Sequence, residues 1–287
     1  MTTISIYLKS KKQHIETTLE QFLPAADQRP ERLHEAMRYS MMAGGKRLRP
    51  ILALATGELL GADESALIKP ALALELFHTY TLIHDDLPCM DDDDLRRGLP
   101  TAHKKFDEAT AVLAGDALLT LAFEWMAERS ATLVTELATA GGHAGVIAGQ
   151  IADLAAETQT PDAEMLDYIH LNKTAALLRC SIRVGAIVGE ADDATLNALS
   201  GFGEDLGLAF QIIDDILDAT VDTETLGKPA GSDAAQGKTT YVDIYGIDAA
   251  RKRADELYAR GLDRLSSLPG DTETLQGLAK FICDRGY

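Results

Sequence analysis

Two clusters of aspartates are the residues of this 287-residue chain most able to do chemistry. The first is DDLPCMDDDDLRRG, residues 85–98, which places six aspartates within ten positions. The second is QIIDDILD, residues 211–218, where Asp214 and Asp218 are four apart and therefore share a helix face. Neighbouring carboxylates repel one another unless cations or water screen them. Because the flanking sequence is apolar, a bound cation explains both clusters, and carboxylates without histidine or thiolate favour Mg²⁺.

A basic stretch, GGKRLRP at residues 44–50, could hold an anion. Lys46, Arg47 and Arg49 follow a glycine pair and precede Pro50, which suits a helix start. Cations beside a helix N-terminus bind anions, and the guanidinium fork matches phosphate oxygens. A basic turn alone is weak evidence. Together with two carboxylate clusters it favours a phosphate-bearing ligand bound partly through metal.

The overall charge disfavours one class of partner. The chain has 45 acidic and 27 basic side chains, so its net charge is −18, which disfavours a nucleic acid partner. Nine of the aspartates lie in the two clusters, and without them the charge would be −18 + 9 = −9. Half of the acidic excess is therefore assigned to the predicted metal sites. Apolar residues make up 46% of the chain, which is typical of a globular protein.

We expect that the chain is not exported. Its N-terminus lacks an apolar stretch behind a basic start, and no run of 18 apolar residues is free of charge. We therefore expect no membrane span. Cys89, Cys180 and Cys283 lie far apart without a CxxC pair, so neither disulfides nor a thiolate metal site are indicated. We expect reduced thiols and a cytoplasmic location.

Hydrophobic periodicity predicts helices over residues 64–86, 107–128, 162–189 and 194–218. In the first, Leu67, Ala71, Leu74 and Phe77 recur at steps of three and four, as on one helix face. The prolines, Pro70 among them, are interpreted as breaks between helices. Aromatic residues make up only 6%, and no Asn-Gly or Asp-Gly hairpin signal is present. We predict an all-α single domain over residues 1–287, with roughly ten or more helices.

With these motifs in place, the chain resembles the short-chain trans-isoprenyl diphosphate synthases, and among them the bacterial farnesyl type. The resemblance runs from GGKRLRP through LIHDDLPCMDDDDLRRG and NKTAALLR to GLAFQIIDDILD and GKTTY, nearly the whole length. It implies the isoprenoid synthase fold, with helices around a central catalytic cavity, and a homodimer. It also implies Mg²⁺, with three ions when the allylic diphosphate is bound.

The resemblance also assigns roles to individual residues. The aspartates that resemble Mg²⁺ ligands, directly or through water, are Asp85, Asp86, Asp91, Asp214, Asp215 and Asp218. The side chains that resemble the site for isopentenyl diphosphate are Lys46, Arg49, His78 and Arg97. The cations that resemble the allylic diphosphate site are Arg96, Lys173, Lys228 and Lys238. Lys173, with the oxygens of Thr174 and Gln211 near a developing allylic cation, is the implied catalytic set.

The implied reaction is the head-to-tail condensation of isopentenyl diphosphate with dimethylallyl and geranyl diphosphates to give (2E,6E)-farnesyl diphosphate and pyrophosphate. Such a reaction needs electrostatic stabilisation of the leaving group more than a strong base, which agrees with the residue types. Tyr80 and Thr81 lie one turn before Asp85, about 6 to 7.5 Å deeper along the helix. The hypothesis is that they limit product length, and the alternative is that Tyr80 is an ordinary core residue.

Other functions compete with this interpretation. Geranylgeranyl diphosphate synthesis by the same family is the closest alternative. A class I terpene cyclase usually lacks the second DDxxD motif and the GGKR site, and both are present here. A non-catalytic helical subunit would be expected to lose an aspartate cluster or a phosphate-site cation, and no such loss is seen. His78 and His84, six apart, fall on different helix faces and are not interpreted as metal ligands.

Overall fold

The computed structural model of the protein describes residues 3–156, 161–220 and 238–284. The first helices are α1 (Thr3–Phe22), α2 (Glu31–Met42), α3 (Leu48–Leu59), α4 (Glu64–Asp85), α5 (Ala102–Lys105), α6 (Glu108–Ala127), α7 (Ala131–Gly141) and α8 (Val146–Ala156). The later ones are α9 (Ala163–Ile169), α10 (Ala176–Val188), α11 (Asp193–Thr220), α12 (Tyr241–Tyr245), α13 (Ile247–Ser266) and α14 (Glu273–Cys283). A π-helical segment, His170–Ala175, joins α9 to α10. The prediction of an all-α protein is confirmed.

The chain divides into two compact units. One unit comprises Met1–Leu54 and Glu64–Val134, and the other comprises Ala55–Asp63 and Thr135–Tyr287. The first contains the GGKR stretch and the first aspartate cluster, and the second contains the second cluster. A single domain over residues 1–287 stays a prediction.

In the first unit, α4 packs against α6. This packing fixes the end of α4, where the first aspartate cluster begins. The face that α6 buries carries small residues, among them Ala111, Ala114 and Gly115, which let the two helices approach closely. A Cβ at position 115 would lie 2.6 Å from His84 Cδ2, so glycine leaves room for the His84 ring in its present position. Asp107 begins α6 by accepting a hydrogen bond from the Thr110 N–H. The C-terminal end of α4 is thereby held against the middle of α6.

Helix α4 is buried on all sides rather than along one stripe. Beyond the predicted stripe, residues such as Leu72, Ala73 and Leu76 are also fully buried. Pro70 lies inside this helix, so its interpretation as a break was wrong. It removes the N–H that would bond one turn back, and the burial of the surrounding residues stabilises the helix despite that loss.

Helix α6 is long and apolar enough, by length and composition, to cross a membrane. A buried helix of a globular protein has the same composition, and α6 packs against both α4 and α2. The expected lack of a membrane span therefore stays a prediction.

In the second unit, α11 is the central helix and packs against α10, α13 and the π-helical segment. Leu208, Ile212 and Ile216 of α11 join Ala254 and Leu257 of α13 in a buried core. Carboxylates of the second cluster lie on the same helix, in its last two turns. The core therefore fixes the helix that presents them.

A small hairpin follows the first aspartate cluster and was not predicted. Strands β1 (Leu95–Arg96) and β2 (Leu99–Pro100) pair antiparallel, with Arg96 opposite Leu99. Its two turn residues, Arg97 and Gly98, both have positive φ, 55° and 79°, as in a type I′ turn. The sequence signal was weak, since arginine is not a residue that ordinarily marks such a turn.

Candidate active site

The loop after α4 folds back over the helix end and brings two predicted metal ligands together. The Asp91 N–H donates to the Asp85 carbonyl at 2.9 Å, and the Asp92 N–H donates to the Leu87 carbonyl at 3.1 Å. Asp92 takes a positive φ of 50° to complete the reversal. The carboxyl end of a helix carries negative partial charge, which adds to that of the carboxylates. This end of α4 therefore favours a cation.

Asp86 has different surroundings from Asp85 and Asp91. It is buried, and its Oδ1 accepts a hydrogen bond from Arg96 Nε at 2.6 Å. Burial raises the pKa of Asp86 to about 6, against the opposing effect of Arg96. Arg96 also bonds Asp93, at 3.1 Å. Asp86 thus anchors a predicted phosphate-binding arginine to the aspartate loop, and its role as a metal ligand stays a prediction.

The neighbouring arginine reaches a different part of the unit. Arg97 Nη1 donates to the carbonyl of Gly44, in the GGKR stretch. A Cβ on Gly45 would lie 2.6 Å from the Arg97 guanidinium carbon, so glycine lets the arginine lie flat on this backbone. Consecutive arginines of one hairpin therefore join the aspartate loop and the GGKR stretch.

Lys46, Arg49, His78 and Arg97, predicted to hold isopentenyl diphosphate, all belong to the first unit. The pKa of Arg49 is lowered to about 10, mainly by burial; the charge of Glu75 opposes this shift and the charge of Arg97 adds to it. Burial, and then the charge of Arg49, lowers the pKa of His78 well below its usual value. Arg97 has a lowered pKa for the same main reason, burial. Arg97 and Arg49 repel each other, so a bound polyanion would stabilise both.

In the second unit, a cavity of about 190 Å³ gathers most of the residues predicted there. Its lining includes Lys173, Thr174, Gln211, Asp215 and Lys238. The π-helical segment carries Lys173 and Thr174, and π-helical turns are frequent at functional sites.

Two lysines of this cavity share one carboxylate. Lys173 Nζ lies 2.5 Å and Lys238 Nζ 3.8 Å from Asp153 Oδ2. Asp153 was not among the predicted residues. It holds two ammonium groups near each other, where a diphosphate could compete for both.

The remaining polar groups form a chain of hydrogen bonds. Thr174 Oγ1 donates to Gln211 Oε1 at 2.9 Å, and Gln211 Nε2 donates to Asp215 Oδ1 at 3.2 Å. The Tyr241 N–H donates to Asp215 Oδ2 at 2.9 Å. Both oxygens of the buried Asp215 thus accept bonds from the protein, so it orients Gln211. Its role as a metal ligand stays a prediction.

His170, which sequence reasoning gave no role, lies in the same cavity. Its ring stacks on Tyr241 at 5.3 Å between centroids, and its Nε2 lies 3.7 Å from Asp215 Oδ2. Burial lowers its pKa to about 4. No sequence pattern near His170 distinguished it from an ordinary core histidine.

The donor set of both clusters fits Mg²⁺. Among the described residues, no three His, Cys, Asp or Glu side chains form a site able to hold a metal by themselves. Mg²⁺ does not require one, because it is usually bound by one or two carboxylates together with waters and substrate phosphates. Asp85 with Asp91, and Asp214 with Asp218, are the predicted pairs, and their role as Mg²⁺ ligands stays a prediction.

The predicted chain-length residues lie on α4. Tyr80 is buried, and its ring meets Phe77 edge-on at 4.7 Å and His84 at 5.6 Å between centroids. Burial raises the pKa of Tyr80 to about 12. Thr81 is half-buried and bonds the His78 carbonyl at 2.8 Å. Lys228, the remaining predicted cation, lies outside the described residues.

The family model for polyprenyl synthetases matches residues 30–268. The chain belongs to the polyprenyl synthetase family. The match extends across both compact units and includes the GGKR stretch and both aspartate clusters.

Members of the polyprenyl synthetase family with different products resemble this chain about equally. Farnesyl diphosphate synthase of Escherichia coli is 46% identical, over 88% of each chain. The chloroplastic geranylgeranyl pyrophosphate synthase of Catharanthus roseus is 45% identical, over 97% of this chain and 80% of its own. A solved structure of the Helicobacter pylori geranyltransferase, in complex with magnesium and isoprenyl diphosphate, has a TM-score of 0.84 at 33% identity. It covers 99% of this chain and 97% of its own, which confirms the predicted isoprenoid synthase fold.

Proposed function

We propose that this polyprenyl synthetase condenses isopentenyl diphosphate with dimethylallyl and then geranyl diphosphate, giving (2E,6E)-farnesyl diphosphate and pyrophosphate. The observation that carries the proposal is the presence of two separate cation sets with different surroundings. In the first unit, Arg49 and Arg97 are close enough that both lower the pKa of His78 and that Arg97 lowers the pKa of Arg49. In the second, Lys173 and Lys238 share Asp153 beside a hydroxyl and an amide oxygen. Two anionic substrates, one of which ionises, require two such sets.

The second cavity supplies what ionisation of an allylic diphosphate needs. Breaking its C–O bond separates a carbocation from pyrophosphate of about −3 charge, so preorganised cations contribute most to catalysis. Lys173 and Lys238 would leave Asp153 to bind the leaving oxygens. When bound, Mg²⁺ supplies further charge neutralisation, and each aspartate cluster would hold it. Three ions are proposed for the complex with the allylic diphosphate.

Thr174 and Gln211 would stabilise the cationic carbon. Thr174 donates its proton to Gln211 Oε1, so lone pairs of Thr174 Oγ1 remain for an electron-poor carbon. Asp215 keeps the amide of Gln211 in the orientation that this bond requires. The isopentenyl double bond then attacks the cation, and pyrophosphate accepts the last proton.

The farnesyl product is proposed from the buried ring of Tyr80 beside the first aspartate cluster. Geranylgeranyl diphosphate is the second candidate, because the Catharanthus relative bears that name at similar identity. Labelled isopentenyl diphosphate, incubated with Mg²⁺ and dimethylallyl, geranyl or farnesyl diphosphate, distinguishes them by product length. Elongation of farnesyl diphosphate would favour the second candidate. A hydrocarbon product would indicate a cyclase, and the lack of any product would contradict the enzyme proposal.

Two variants of the acidic stretch sharpen this experiment. Asp85→Asn should reduce elongation by about a hundredfold or more, because it removes a ligand charge that acts on the leaving group. Asp94→Asn is the matched control, since Asp94 is exposed and paired with Lys104 at 2.8 Å. It should retain activity. Equal losses in both variants would contradict a metal role specific to Asp85.

We also propose a cytoplasmic homodimer without a nucleic acid partner or a membrane span. Exposed apolar side chains support an interface between copies: Ile147 and Ile151 of α8 are 51% and 66% exposed and lie one turn apart. The mass of one chain is 30.9 kDa. Light scattering after size exclusion should give twice that mass. Ile151→Lys should shift the molecule towards the monomer, and a monomeric wild type would contradict the proposal.

A further inference from the structure

The second cation of the GGKR stretch, Arg47, is buried and bonds to groups of the protein itself. The side chain of Arg47 is 0% exposed, although sequence reasoning grouped it with anion-binding cations. Its Nη1 donates to Glu75 Oε1 at 2.9 Å, and its Nη2 donates to the Met41 carbonyl at 2.6 Å. Fully buried arginines occur almost exclusively with such partners. Arg47 is therefore committed to the protein interior.

The partner of this arginine, Glu75, is itself 2% exposed and lies on α4. Its charge also raises the pKa of Arg49 and of Arg97, opposing the effect of burial on both. One buried carboxylate thus acts on three arginines. Because it carries a single charge, the cluster keeps a surplus of positive charge for a diphosphate.

The ion pair also fixes the backbone that presents the binding cations. Arg47 has a positive φ of 53°, in a stretch where Gly44 and Gly45 have φ of 89° and 118°. Its carbonyl accepts the Ile51 N–H at 3.1 Å, so Arg47 immediately precedes the first turn of α3. Lys46 and Arg49 lie on either side of it. A non-glycine residue persists in this conformation when its surroundings hold it there, and the bonds to Glu75 and Met41 do so.

We propose that Glu75, acting through Arg47, is a positioning residue for the diphosphate of isopentenyl diphosphate. It holds the turn that presents Lys46 and Arg49 and keeps the arginine cluster compact before substrate binds. The inference rests on the proposed function, because that function assigns isopentenyl diphosphate to this cluster.

Glu75→Gln tests the proposal, since the amide keeps the shape of the side chain and removes its charge. We expect the KM for isopentenyl diphosphate to rise by about tenfold or more, with a smaller change in kcat and an unchanged KM for the allylic substrate. Glu16→Gln is the matched control. Glu16 lies 3.7 Å from Arg47 Nε and is 33% exposed, so its charge is screened by water and both KM values should stay as in the wild type.

A second measurement does not depend on turnover. Calorimetry with inorganic pyrophosphate and EDTA measures anion binding without metal, and Glu75→Gln should bind it more weakly than the wild type. If charge alone mattered, removing a carboxylate would tighten binding, so tighter or unchanged binding by the folded variant overturns the proposal. An equal rise of both KM values would also overturn it, since that indicates general damage.

If Glu75→Gln does not fold, Glu75→Asp can be used in its place. Aspartate keeps the negative charge, but its side chain is shorter by one methylene, so the carboxylate lies farther from Arg47. It should give an intermediate loss of pyrophosphate affinity, and unchanged affinity would contradict positioning by Glu75. A wild type that elongates no substrate would refute the proposed function, while the pyrophosphate titration would still test the role of Glu75.

Discussion

The backbone of Gly149 lies directly against the backbone of Lys173. A Cβ at position 149 would stand 2.7 Å from Lys173 Cα and still closer to its nitrogen. Similarly, a Cβ at Gly207 of α11 would stand 2.5 Å from Ala175 Cα. The π-helical segment that carries Lys173 and Thr174 is therefore held between α8 and α11 by two close approaches that only glycine permits.

Gly149→Ala should displace this segment and reduce both stability and activity. The added methyl meets backbone, so we expect a destabilisation of about 1–3 kcal/mol. Misplacement of Lys173 by a fraction of an ångström should lower kcat by about tenfold to a hundredfold. Urea unfolding and steady-state elongation assays measure the two effects.

Gly201→Ala is a control for that prediction. The new methyl would meet the guanidinium of Arg264, which can move because it ends a flexible, partly exposed side chain. It should leave kcat unchanged. If both alanine variants lost activity equally, the close approach at Lys173 would not be the cause.

Tyr80→Ala should lengthen the product. The substitution removes the ring held between Phe77 and His84 and opens space beside the helix that ends at Asp85. We expect C20 or longer products by chromatography of dephosphorylated products, with some loss of thermal stability from the new cavity. Tyr80→Phe keeps the ring and should keep the wild-type product length. An unchanged product from a folded Tyr80→Ala variant would assign Tyr80 to the core alone.

Asp205 should contribute substantially to the stability of the second unit. It is 1% exposed and accepts hydrogen bonds from Arg260 Nε at 3.0 Å and Arg264 Nε at 2.8 Å, which join α11 to α13. Asp205→Asn should lower the free energy of unfolding by about 2 kcal/mol, measured in urea. Arg179→Gln removes a comparable pair at exposed Glu204 and should cost less than about 1 kcal/mol. The reverse order would contradict the importance of burial here.

Buried His170 should make the protein less stable in mild acid. Its pKa is about 4 in the folded chain and near 6.5 when unfolded, so the unfolded state binds the proton more readily. The free energy of unfolding should therefore fall between pH 6.5 and 4, by about 3 kcal/mol from this group. His170→Phe keeps a ring beside Tyr241 and should reduce this pH dependence in EDTA. His143→Phe, at an exposed position, should leave the dependence unchanged.

Sequence reasoning located the long helices and the charged clusters because both have local signals. The periodicity of residues 107–128 and 194–218 indicates which face of each helix is buried. The bounds predicted from it agree with those of α6 and α11 within two residues. Lys173, Thr174, Gln211 and Lys238 were predicted from the resemblance, and the structure brings them into one cavity.

The residues that were missed depend on distant partners. Glu75 sits in a helical stretch where a lone glutamate is ordinarily exposed, and nothing nearby in sequence indicates its bond to Arg47. Asp153 lies 20 residues from Lys173 and meets it through the packing of α8 on the π-helical segment. The available signal was the spacing of four residues between Gly149 and Asp153, which places both on one face of α8.

The β1–β2 hairpin constrains how this protein can be recombined with its relatives. Arg96 reaches back to Asp86, and the next residue, Arg97, reaches the carbonyl of Gly44. An insertion or deletion of one residue between positions 86 and 97 would shift the turn and break both connections at once. In a chimera, the segment from the first aspartate cluster to Gly98 must therefore be inherited whole, together with the glycine pair that it contacts.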